Sequence, residues 1–367
     1  MKAAVLHSPN TPLRVEEVSL DPPRSGEVLL RVAASGVCRS DHHLITGATP
    51  HPMPVVCGHE ASGVIQKTGE GVTRVKPGDP VVLSWAPACG ACFYCGRGLP
   101  AQCEAYLPQI WQGTLWDGST RLSLDGARVH HYSALSTFAE QAVVPESCCV
   151  PIPPDVPLGA AALIGCAVAT GVGAVLNRAR VEQGSSVAVF GCGGVGTSIL
   201  QGAALAGASR IIAVDPSPRR RKSAGAFGAT ETLDPAEADP VPAIRGLTQG
   251  RGADYCFEAI GAARVMQQAI EATRRGGMAI LVGLGPSSET LSLGAGSFTR
   301  SDRIVAGAYY GLCDPARDMP RLIELYREGK LKLEELVERR RPLEEINEAF
   351  DDMLSGEVLR TLIAFDT

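Results

Sequence analysis

The segment SVAVFGCGGVG at residues 186–196 constrains the fold more than any other part of the sequence. Its first residues are apolar and partly β-branched, which indicates a buried strand, and the following TSILQGAALAGA has helical character. Glycines with the G-x-G-x-x-G spacing lie between strand and helix. They allow a tight turn, close approach of a pyrophosphate to the backbone, and tight packing of helix on strand. We therefore predict a dinucleotide-binding turn, whose residues are Gly191, Gly193, Gly194, Val195 and Gly196.

The surrounding sequence predicts two kinds of domain. From about Leu158 onward, helical patterns separate the apolar runs SVAVFG, RIIAVD, ADYCFEAI and GMAILVG. Such alternation indicates a parallel sheet covered by helices. Before it, short runs such as EVLLRVAASGV are punctuated by Gly and Pro turns, which indicates a β-rich region. Because 367 residues exceed what one core usually serves, we predict an α/β protein with a Rossmann doubly wound parallel sheet in one domain and a second, β-rich domain.

The strand RIIAVD ends in Asp215, close to the separation from the glycines expected for an acid that binds ribose hydroxyls. Its carboxylate would repel a 2′-phosphate, so we expect NAD rather than NADP. Arg219, Arg220 and Arg221 follow. They either offset part of that repulsion, with Arg220 then binding the coenzyme, or form the solvated start of a helix.

A second motif indicates metal binding. CGACFYCGRGLPAQC holds Cys89, Cys92, Cys95 and Cys103 in a C-x2-C-x2-C-x7-C array. Four thiolates this close in sequence can enclose zinc tetrahedrally and leave no open position, which is typical of structural sites. An iron–sulfur cluster, or thiols without metal, are the alternatives. We predict a structural zinc lobe over about residues 87–104.

Three further residues are candidate ligands for a catalytic zinc, which needs three protein ligands and one exchangeable position. They are Cys38 in GVCRSDHH, His59 in CGHEASG and Cys166 in LIGCAVATG. Asp41 and Glu60 are carboxylates beside two of them and are suited to hydrogen bonding around the metal. Spacing alone leaves open whether the three meet, since each could instead be an inert core residue.

Charge and composition exclude several function classes. The formal net charge is −5, and the basic run 219–222 is too short to follow a nucleic-acid backbone. Apolar segments are broken by Gly or Pro before they reach membrane-spanning length, and MKAAVLHSPN lacks the apolar core of a signal peptide. We therefore expect a cytoplasmic protein that acts on a small molecule, with no nucleic-acid or membrane partner. In such a chain, clusters among the twelve cysteines indicate metal ligands rather than disulfides.

These motifs follow the order found in one family. The motifs extend almost from end to end of the chain. In order, they are GVCRSDHH, GHEASGVI, the four-cysteine lobe, STFAEQAVV, LIGCAVATGVGAV, GCGGVG and LRTLIAF. The chain resembles the zinc-dependent alcohol dehydrogenases of the medium-chain dehydrogenase/reductase superfamily. The resemblance implies a GroES-like catalytic domain at 1–166, a Rossmann NAD-binding domain at 167–309, and a C-terminal return to the catalytic domain at 310–367.

The resemblance also implies a cofactor set and roles for single residues. It implies NAD and two zinc ions per subunit, with Cys38, His59 and Cys166 as catalytic ligands and the lobe cysteines as the structural site. Asp41 would orient the His59 ring, and Glu60 would lie behind the metal. Arg39 and Arg360 would contact the coenzyme pyrophosphate. Ser40 would pass the substrate proton through the coenzyme ribose to His43. The implied substrate pocket consists of Trp85, Tyr132, Leu284 and Tyr309.

The resemblance further predicts a reaction and an assembly. We expect reversible hydride transfer between NAD and a primary alcohol or its aldehyde, and the aromatic pocket residues favour an apolar or aromatic substrate. The stretch between Cys103 and Phe138 resembles the insert of the dimeric branch, which includes the class I and glutathione-dependent formaldehyde dehydrogenase classes. It predicts a homodimer joined edge to edge through the strands near GMAILVG and SDRIVAG.

Two alternatives stay open. The first is a formaldehyde dehydrogenase acting on a thiol adduct, for example a mycothiol-dependent enzyme. The glutathione-dependent class is less favoured, because GATPHPMP and CEAYLPQ lack its acidic pair and its arginine. The second is a non-catalytic zinc-binding interaction or structural protein, although every proposed zinc ligand and fingerprint glycine is present.

Overall fold

The computed structural model describes residues 1–286 and 288–365. The chain forms two compact units, the first comprising Met1–Ala167 with Asp314–Thr367 and the second Val168–Cys313. The first unit is thus built from both ends of the chain. The chain passes from the first unit to the second between residues 167 and 168 and returns between residues 313 and 314. The sequence predicts these two domain boundaries at 166/167 and 309/310.

Strands supply most of the regular structure of the first unit, and strands alternate with helices in the second. The strands in chain order are β1 (Lys2–Leu6), β2 (Arg14–Glu17), β3 (Ser19–Leu20), β4 (Glu27–Gly36), β5 (Val55–Val56), β6 (Ala61–Thr68), β7 (Pro80–Leu83), β8 (Leu122–Leu124), β9 (Ala127–His131), β10 (Gln141–Pro145), β11 (Cys149–Pro151), β12 (Ser186–Phe190), β13 (Arg210–Val214), β14 (Glu231–Leu233), β15 (Ala253–Glu258), β16 (Thr273–Leu281), β17 (Ile304–Gly307), β18 (Val337–Arg341) and β19 (Arg360–Ala364).

Helices lie mainly in the second unit and near the C-terminus. The helices in chain order are α1 (Arg39–Ile45), α2 (Leu107–Gln112), α3 (Leu158–Ala161), α4 (Ala167–Gly173), α5 (Gly194–Leu205), α6 (Pro218–Ala224), α7 (Pro240–Leu247), α8 (Ala263–Ala272), α9 (Ala295–Thr299), α10 (Pro315–Arg327) and α11 (Ile346–Ser355). A π-helical stretch, Ala174–Ala179, continues from α4.

Two sheets build the first unit. One has the order β11-β7-β6-β4-β19-β18, with β10 also paired to β4, and the other has the order β2-β1-β5-β9-β8-β3. The long strand β4 pairs antiparallel with β6 and with the C-terminal strand β19, where Leu362 lies opposite Gly36. Burial of apolar side chains holds this arrangement together, as in the cluster formed by Leu6, Leu44, Phe138, Ile346 and Ile363.

The second unit has a parallel sheet of order β14-β13-β12-β15-β16-β17. Phe190 at the end of β12 lies opposite Val214 on one side and Glu258 on the other, so the carboxyl ends of the central strands share one edge. Ligands of doubly wound sheets bind at this edge, where the direction of winding reverses. The predicted α/β fold, with a Rossmann sheet and a β-rich domain, is confirmed.

Among the described residues, no single helix has the length and apolar character needed to cross a membrane. One bent pair, Leu158–Gly165 with Ala167–Ala179, meets that test by length and composition only.

Candidate active site

Cys38, His59 and Cys166 come together in the first unit. Their ligand atoms all lie within 4.8 Å of one another, and all three residues are buried. Cys38 follows β4, His59 precedes β6, and Cys166 ends the turn after α3, so the pairing of β4 with β6 brings two of them close. The structure therefore joins the three residues whose meeting the spacing left open.

The charges in this cluster suit a metal-binding set. Hydrogen bonding with the Cys166 thiol, together with the positive charge of Arg360, lowers the pKa of Cys38 well below its ordinary value. The same hydrogen bond, together with burial, raises the pKa of Cys166. The His59 Nε2 atom lies 3.3 Å from the Cys166 Sγ atom. Two sulfurs and one imidazole nitrogen facing one point form the donor set of a three-ligand zinc site.

Asp41 orients the His59 ring. Its Oδ1 atom accepts hydrogen bonds from the Gly58 N–H at 2.9 Å and from His59 Nδ1 at 3.2 Å. Because Nδ1 donates, Nε2 presents its lone pair toward the two sulfurs. Gly58 has φ +94°, and a Cβ there would lie 2.5 Å from the Phe138 nitrogen, so only glycine allows the chain to pass this point.

Glu60 and Arg360 form a buried ion pair behind the cluster. Arg360 Nη2 donates to Glu60 Oε2 at 2.6 Å, and both side chains are buried. Burial raises the pKa of Glu60 to about 8, while the charge of Arg360 opposes that increase. A Cβ at Gly36 would lie 2.9 Å from Arg360 Nη2 and from Glu60 Cδ, so a glycine on β4 makes room for the pair.

The residues of α1 extend from the metal-ligand cluster. The Ser40 Oγ atom lies 3.9 Å from the Cys38 Sγ atom. His43, one helical turn further, is half-buried, and burial together with the charge of Arg39 lowers its pKa. Arg39 itself is exposed at the helix start. Ser40 and His43 are three positions apart and thus share a helix face.

The four lobe cysteines also form one cluster. The Sγ atoms of Cys89, Cys92, Cys95 and Cys103 lie within 4.8 Å of one another. The backbone N–H of Cys92 donates to the Cys89 sulfur at 3.3 Å, and that of Cys89 donates to the Cys103 sulfur at 3.4 Å. Hydrogen bonds from the backbone at Cys95 and Glu104 lower the pKa of Cys92 to about 6. Burial raises the pKa of Cys95 to about 12, so the backbone donors favour the thiolate form at Cys92 in particular. Four sulfurs in one cluster suit a closed zinc site.

The glycine turn lies at the carboxyl edge of the second unit's sheet. Gly191 has φ +90°, and a Cβ at Gly196 would lie 1.7 Å from the Gly191 oxygen. A Cβ at Gly193, the N-cap of α5, would point into open space. The backbone is therefore closely packed on one side of the turn and open on the other, and Gly194 and Val195 begin the helix.

Asp215 follows β13 and is buried beside this turn. Its Oδ2 atom accepts from the Cys192 N–H at 2.7 Å, and its Oδ1 atom accepts from the Ser217 N–H at 2.8 Å. Arg220 Nη1 lies 3.8 Å from Oδ2, so this arginine partly neutralises the carboxylate. Each oxygen retains a second lone pair for a ligand hydroxyl.

The four predicted pocket residues divide between the units. Trp85 and Tyr132 are nearly buried in the first unit, where the Tyr132 ring is edge-on to the His59 ring at 5.5 Å. Leu284 and Tyr309 belong to the second unit; Leu284 is 54% exposed, and Tyr309 begins a short 3-10 turn. The contribution of these four residues to one substrate pocket stays a prediction.

Sequence reasoning missed Glu258, a buried acidic residue at the end of β15. The signal was available, since an acidic residue that ends a buried parallel strand lies at the ligand-binding edge of the sheet.

Comparison with known proteins identifies the family. Residues 24–154 match the alcohol dehydrogenase GroES-like domain, and residues 194–328 match the zinc-binding dehydrogenase family. The S-(hydroxymethyl)glutathione dehydrogenase of Saccharomyces cerevisiae is 38% identical over 372 residues, covering 99% of this chain and 96% of the relative. The Haemophilus influenzae enzyme of that name is 38% identical over 367 residues, covering 99% and 97%.

Solved structures agree with these sequence matches. The benzyl alcohol dehydrogenase of Acinetobacter calcoaceticus superposes with a TM-score of 0.94 at 32% identity, covering 100% of this chain and 99% of that one. An alcohol dehydrogenase zinc-binding domain protein from Burkholderia ambifaria gives 0.95 at 35% identity, with the same coverage. The chain belongs to the zinc-dependent alcohol dehydrogenases of the medium-chain dehydrogenase/reductase superfamily and is an oxidoreductase. The predicted family, the GroES-like domain and enzymatic function are confirmed, and a non-catalytic role is not retained.

Proposed function

We propose that the protein is an NAD-dependent alcohol dehydrogenase that interconverts a primary alcohol, preferably apolar or aromatic, and its aldehyde. The observation that carries the proposal is the buried cluster of Cys38, His59 and Cys166, with His59 oriented by Asp41. It supplies the three protein ligands of a catalytic zinc site. Cys89, Cys92, Cys95 and Cys103 would hold a second, structural zinc.

The chain's own residues bind and deprotonate the alcohol. Bound zinc supplies a Lewis acid at the alcohol oxygen, and bound NAD supplies the hydride acceptor. The Ser40 hydroxyl, next to the Cys38 sulfur, is available to accept the alcohol proton while it donates its own proton onward, through a coenzyme ribose hydroxyl, to His43. His43 has a lowered pKa and is neutral at pH 7, so its ring can take up a proton and release it to solvent.

The second unit fits NAD. The open side of the glycine turn and the N-terminus of α5 provide backbone N–H groups for the pyrophosphate. Asp215 accepts hydrogen bonds from the ribose hydroxyls and repels a 2′-phosphate. We keep Arg220, Arg39 and Arg360 as proposed coenzyme contacts, although Arg220 lies near Asp215 and Arg360 is engaged by Glu60.

The test is NADH formation, followed by absorbance, with the zinc-loaded protein. We expect turnover of benzyl alcohol and hexanol, with kcat/KM at least about tenfold above that for ethanol because larger apolar groups bury more area. NADP in place of NAD is expected to lower kcat/KM by about tenfold or more.

Cys38→Ser is expected to be inactive, whereas Cys148→Ser, which changes a buried cysteine outside both clusters, serves as the matched control. If the wild-type protein forms no NADH with any of these alcohols, the proposal is refuted.

A second candidate is a dehydrogenase of a thiol adduct of formaldehyde. Curated relatives that are 38% identical over nearly the whole chain carry the name S-(hydroxymethyl)glutathione dehydrogenase. The benzyl alcohol dehydrogenase structure and the bulk of Trp85 and Tyr132 favour the first candidate. Activity confined to formaldehyde with added glutathione or another low-molecular-weight thiol would decide for the second.

We also propose that the protein is a homodimer joined through β17. This strand ends the parallel sheet, and its Ile304 is 50% exposed. Among the described residues, no further strand pairs with the outer side of β17. Such an apolar edge strand favours pairing with a second copy. Light scattering coupled to gel filtration is expected to give twice the 38.4 kDa chain mass, and Ile304→Lys is expected to give a monomer. A monomeric wild-type protein would contradict this assembly.

The cytoplasm is the proposed location. All twelve cysteines are free, and seven of them belong to the two clusters. Thiols for metal binding persist in a reducing compartment.

A further inference from the structure

Glu258 occupies a central position at the carboxyl edge of the second unit's sheet. It is the last residue of β15, lies opposite Phe190 of β12 and Leu281 of β16, and is fully buried. Within residues 1–286 and 288–365, no cationic side chain pairs with it. A buried carboxylate without a countercharge is costly unless hydrogen bonds compensate it.

Backbone N–H groups supply that compensation. One carboxylate oxygen, Oε1, accepts from Ile260 at 2.9 Å, Gly261 at 2.7 Å and Ala262 at 3.4 Å. Burial raises the pKa of Glu258, and these N–H groups oppose the increase. The side chain therefore fixes the conformation of the loop that follows its own strand, residues 259–262.

The loop after the neighbouring strand is attached to the same residue. The backbone oxygen of Glu258 accepts from the N–H groups of Val282 at 2.8 Å and Gly283 at 3.0 Å. A Cβ at Gly283 would lie 2.1 Å from the Gly261 nitrogen and 2.8 Å from the Glu258 Oε2 atom. A Cβ at Gly261 would lie 2.2 Å from the Leu284 oxygen. The two loops are thus packed backbone to backbone around one carboxylate.

These loops present apolar side chains beside the glycine turn. Ile260 is 42% exposed and Leu284 is 54% exposed, although both flank a buried strand end. The Cγ1 atom of Ile260 lies 2.5 Å from the position of a Cβ at Gly191. Exposed apolar residues at the ligand-binding edge of a parallel sheet are suited to cover the flat rings of a bound dinucleotide.

We infer that Glu258 is a positioning residue for the coenzyme: its carboxylate holds the 259–262 loop, and its backbone oxygen holds the adjoining 282–285 loop packed against it, so that Ile260 and Leu284 contact the bound dinucleotide. This inference rests on the proposed NAD-dependent function. It assigns Glu258 a role in coenzyme affinity and none in the chemical step, because its Oε1 atom is engaged by loop N–H groups.

The test is NADH binding by fluorescence titration of the zinc-loaded protein, together with steady-state kinetics. Glu258→Ala leaves three N–H groups unpaired, and we expect the NADH dissociation constant and the KM for NAD to rise about tenfold. The kcat at saturating NAD is expected to change by less than about threefold. Glu258→Gln keeps an acceptor oxygen and is expected to recover most of the affinity.

The matched control is Asp254→Asn. Asp254 lies on the same strand near its other end and accepts hydrogen bonds from Ser186 and Arg274, so its loss weakens the same sheet away from the loops. We expect a lower melting temperature with an unchanged NADH dissociation constant. This control separates loss of stability from loss of coenzyme positioning.

Gly283→Ala tests the inference if the Glu258 variants fail to fold. An added Cβ would push the two loops apart and press on the Glu258 carboxylate without substituting Glu258 itself, so weaker NADH binding is expected again. Affinities within about twofold of wild type in every folded variant would overturn the inference alone. A wild-type protein that binds neither NADH nor NADPH would overturn the proposed function and this inference together.

Discussion

The Asp41 carboxylate and the His59 ring form a buried hydrogen bond of 3.2 Å that sets which ring nitrogen faces the two cysteine sulfurs. The same oxygen also binds the Gly58 N–H, so both the ring and the backbone next to it are held by one side chain. A carboxylate in this position fixes the ligand's tautomer and increases the basicity of the metal-binding nitrogen.

We predict that Asp41→Asn lowers zinc affinity at this site by about 10- to 100-fold, because an amide orients and polarises the ring less well. Competition with a chromogenic chelator measures that affinity, and the lobe zinc provides an internal reference. Asp79→Asn is the control, since Asp79 caps a surface turn by accepting from the Lys76 N–H. Equal zinc affinity in the Asp41 variant and wild type would show that Asp41 does not support the metal.

The Glu60–Arg360 ion pair leads to a stability prediction. At pH 9, above the Glu60 pKa of about 8, Arg360→Met leaves a charged Glu60 buried without its partner, and we expect a loss of about 3–5 kcal/mol in unfolding free energy. The double variant Arg360→Met/Glu60→Gln removes both charges and is expected to be more stable than the single variant. Urea unfolding of the first unit, followed by tryptophan fluorescence, gives the order of stability.

The exposed pair of Arg327 and Asp155 serves as the control for that experiment. Its side chains retain 41% and 60% exposure, so Arg327→Met is expected to lower the unfolding free energy far less than Arg360→Met does. A double variant less stable than Arg360→Met alone would contradict the assignment of the loss to an unpaired buried charge.

The four-cysteine lobe leads to a prediction about zinc content. Cys95→Ser removes one of four sulfurs from a closed set, and we expect the zinc content to fall from about two to about one per chain. Cys95 packs against the cluster of Cys103, Tyr106 and Ile110, so the melting temperature should fall as well. Elemental analysis and calorimetry provide the two measurements. Full zinc content in this variant would argue against a four-sulfur site.

Local sequence signals predicted the parts of the structure that form from contiguous residues. The strands of the second unit are apolar runs because both faces of a parallel sheet are covered, and the glycine turn follows directly after one of them. The lobe cysteines lie within fifteen consecutive residues, so their meeting could be inferred from spacing.

Contacts between distant residues carried no such signal. Glu60 and Arg360 are 300 positions apart, and neither residue type at its position indicates a buried pair. The loop YSALS contains Ser133, Ala134 and Ser136 with positive φ, although none is a glycine. A hydrogen bond within the loop supports that conformation, from the Tyr132 N–H to the Ser136 hydroxyl at 3.1 Å. Tertiary hydrogen bonds hold the chain directly after it, from the Thr137 N–H to the Gly58 oxygen and from the Phe138 N–H to the Cys57 oxygen, both at 3.0 Å, and local propensity does not reveal them.

His131 carries the last prediction, which concerns the pH dependence of stability. It is buried, and its Nε2 atom accepts a hydrogen bond from the Arg121 N–H at 3.1 Å. Burial, together with the charge of Arg121, lowers the pKa of His131 to about 3. The folded protein therefore keeps this ring neutral, whereas the unfolded chain protonates it below about pH 6.5.

The sign of the effect follows from that difference. A folded pKa below the unfolded one gives stability that is present above about pH 6.5 and is lost as the pH falls toward 3. Between pH 7 and pH 5, we expect this one residue to account for about 2 kcal/mol of lost unfolding free energy. His131→Gln places an uncharged acceptor near the Arg121 N–H, so its unfolding free energy should fall by about 2 kcal/mol less than that of wild type over this range. His7→Gln, at a half-buried position paired with Glu16, is the control. Parallel pH profiles for wild type and His131→Gln would show that the ring is protonated to the same extent in the folded and unfolded states.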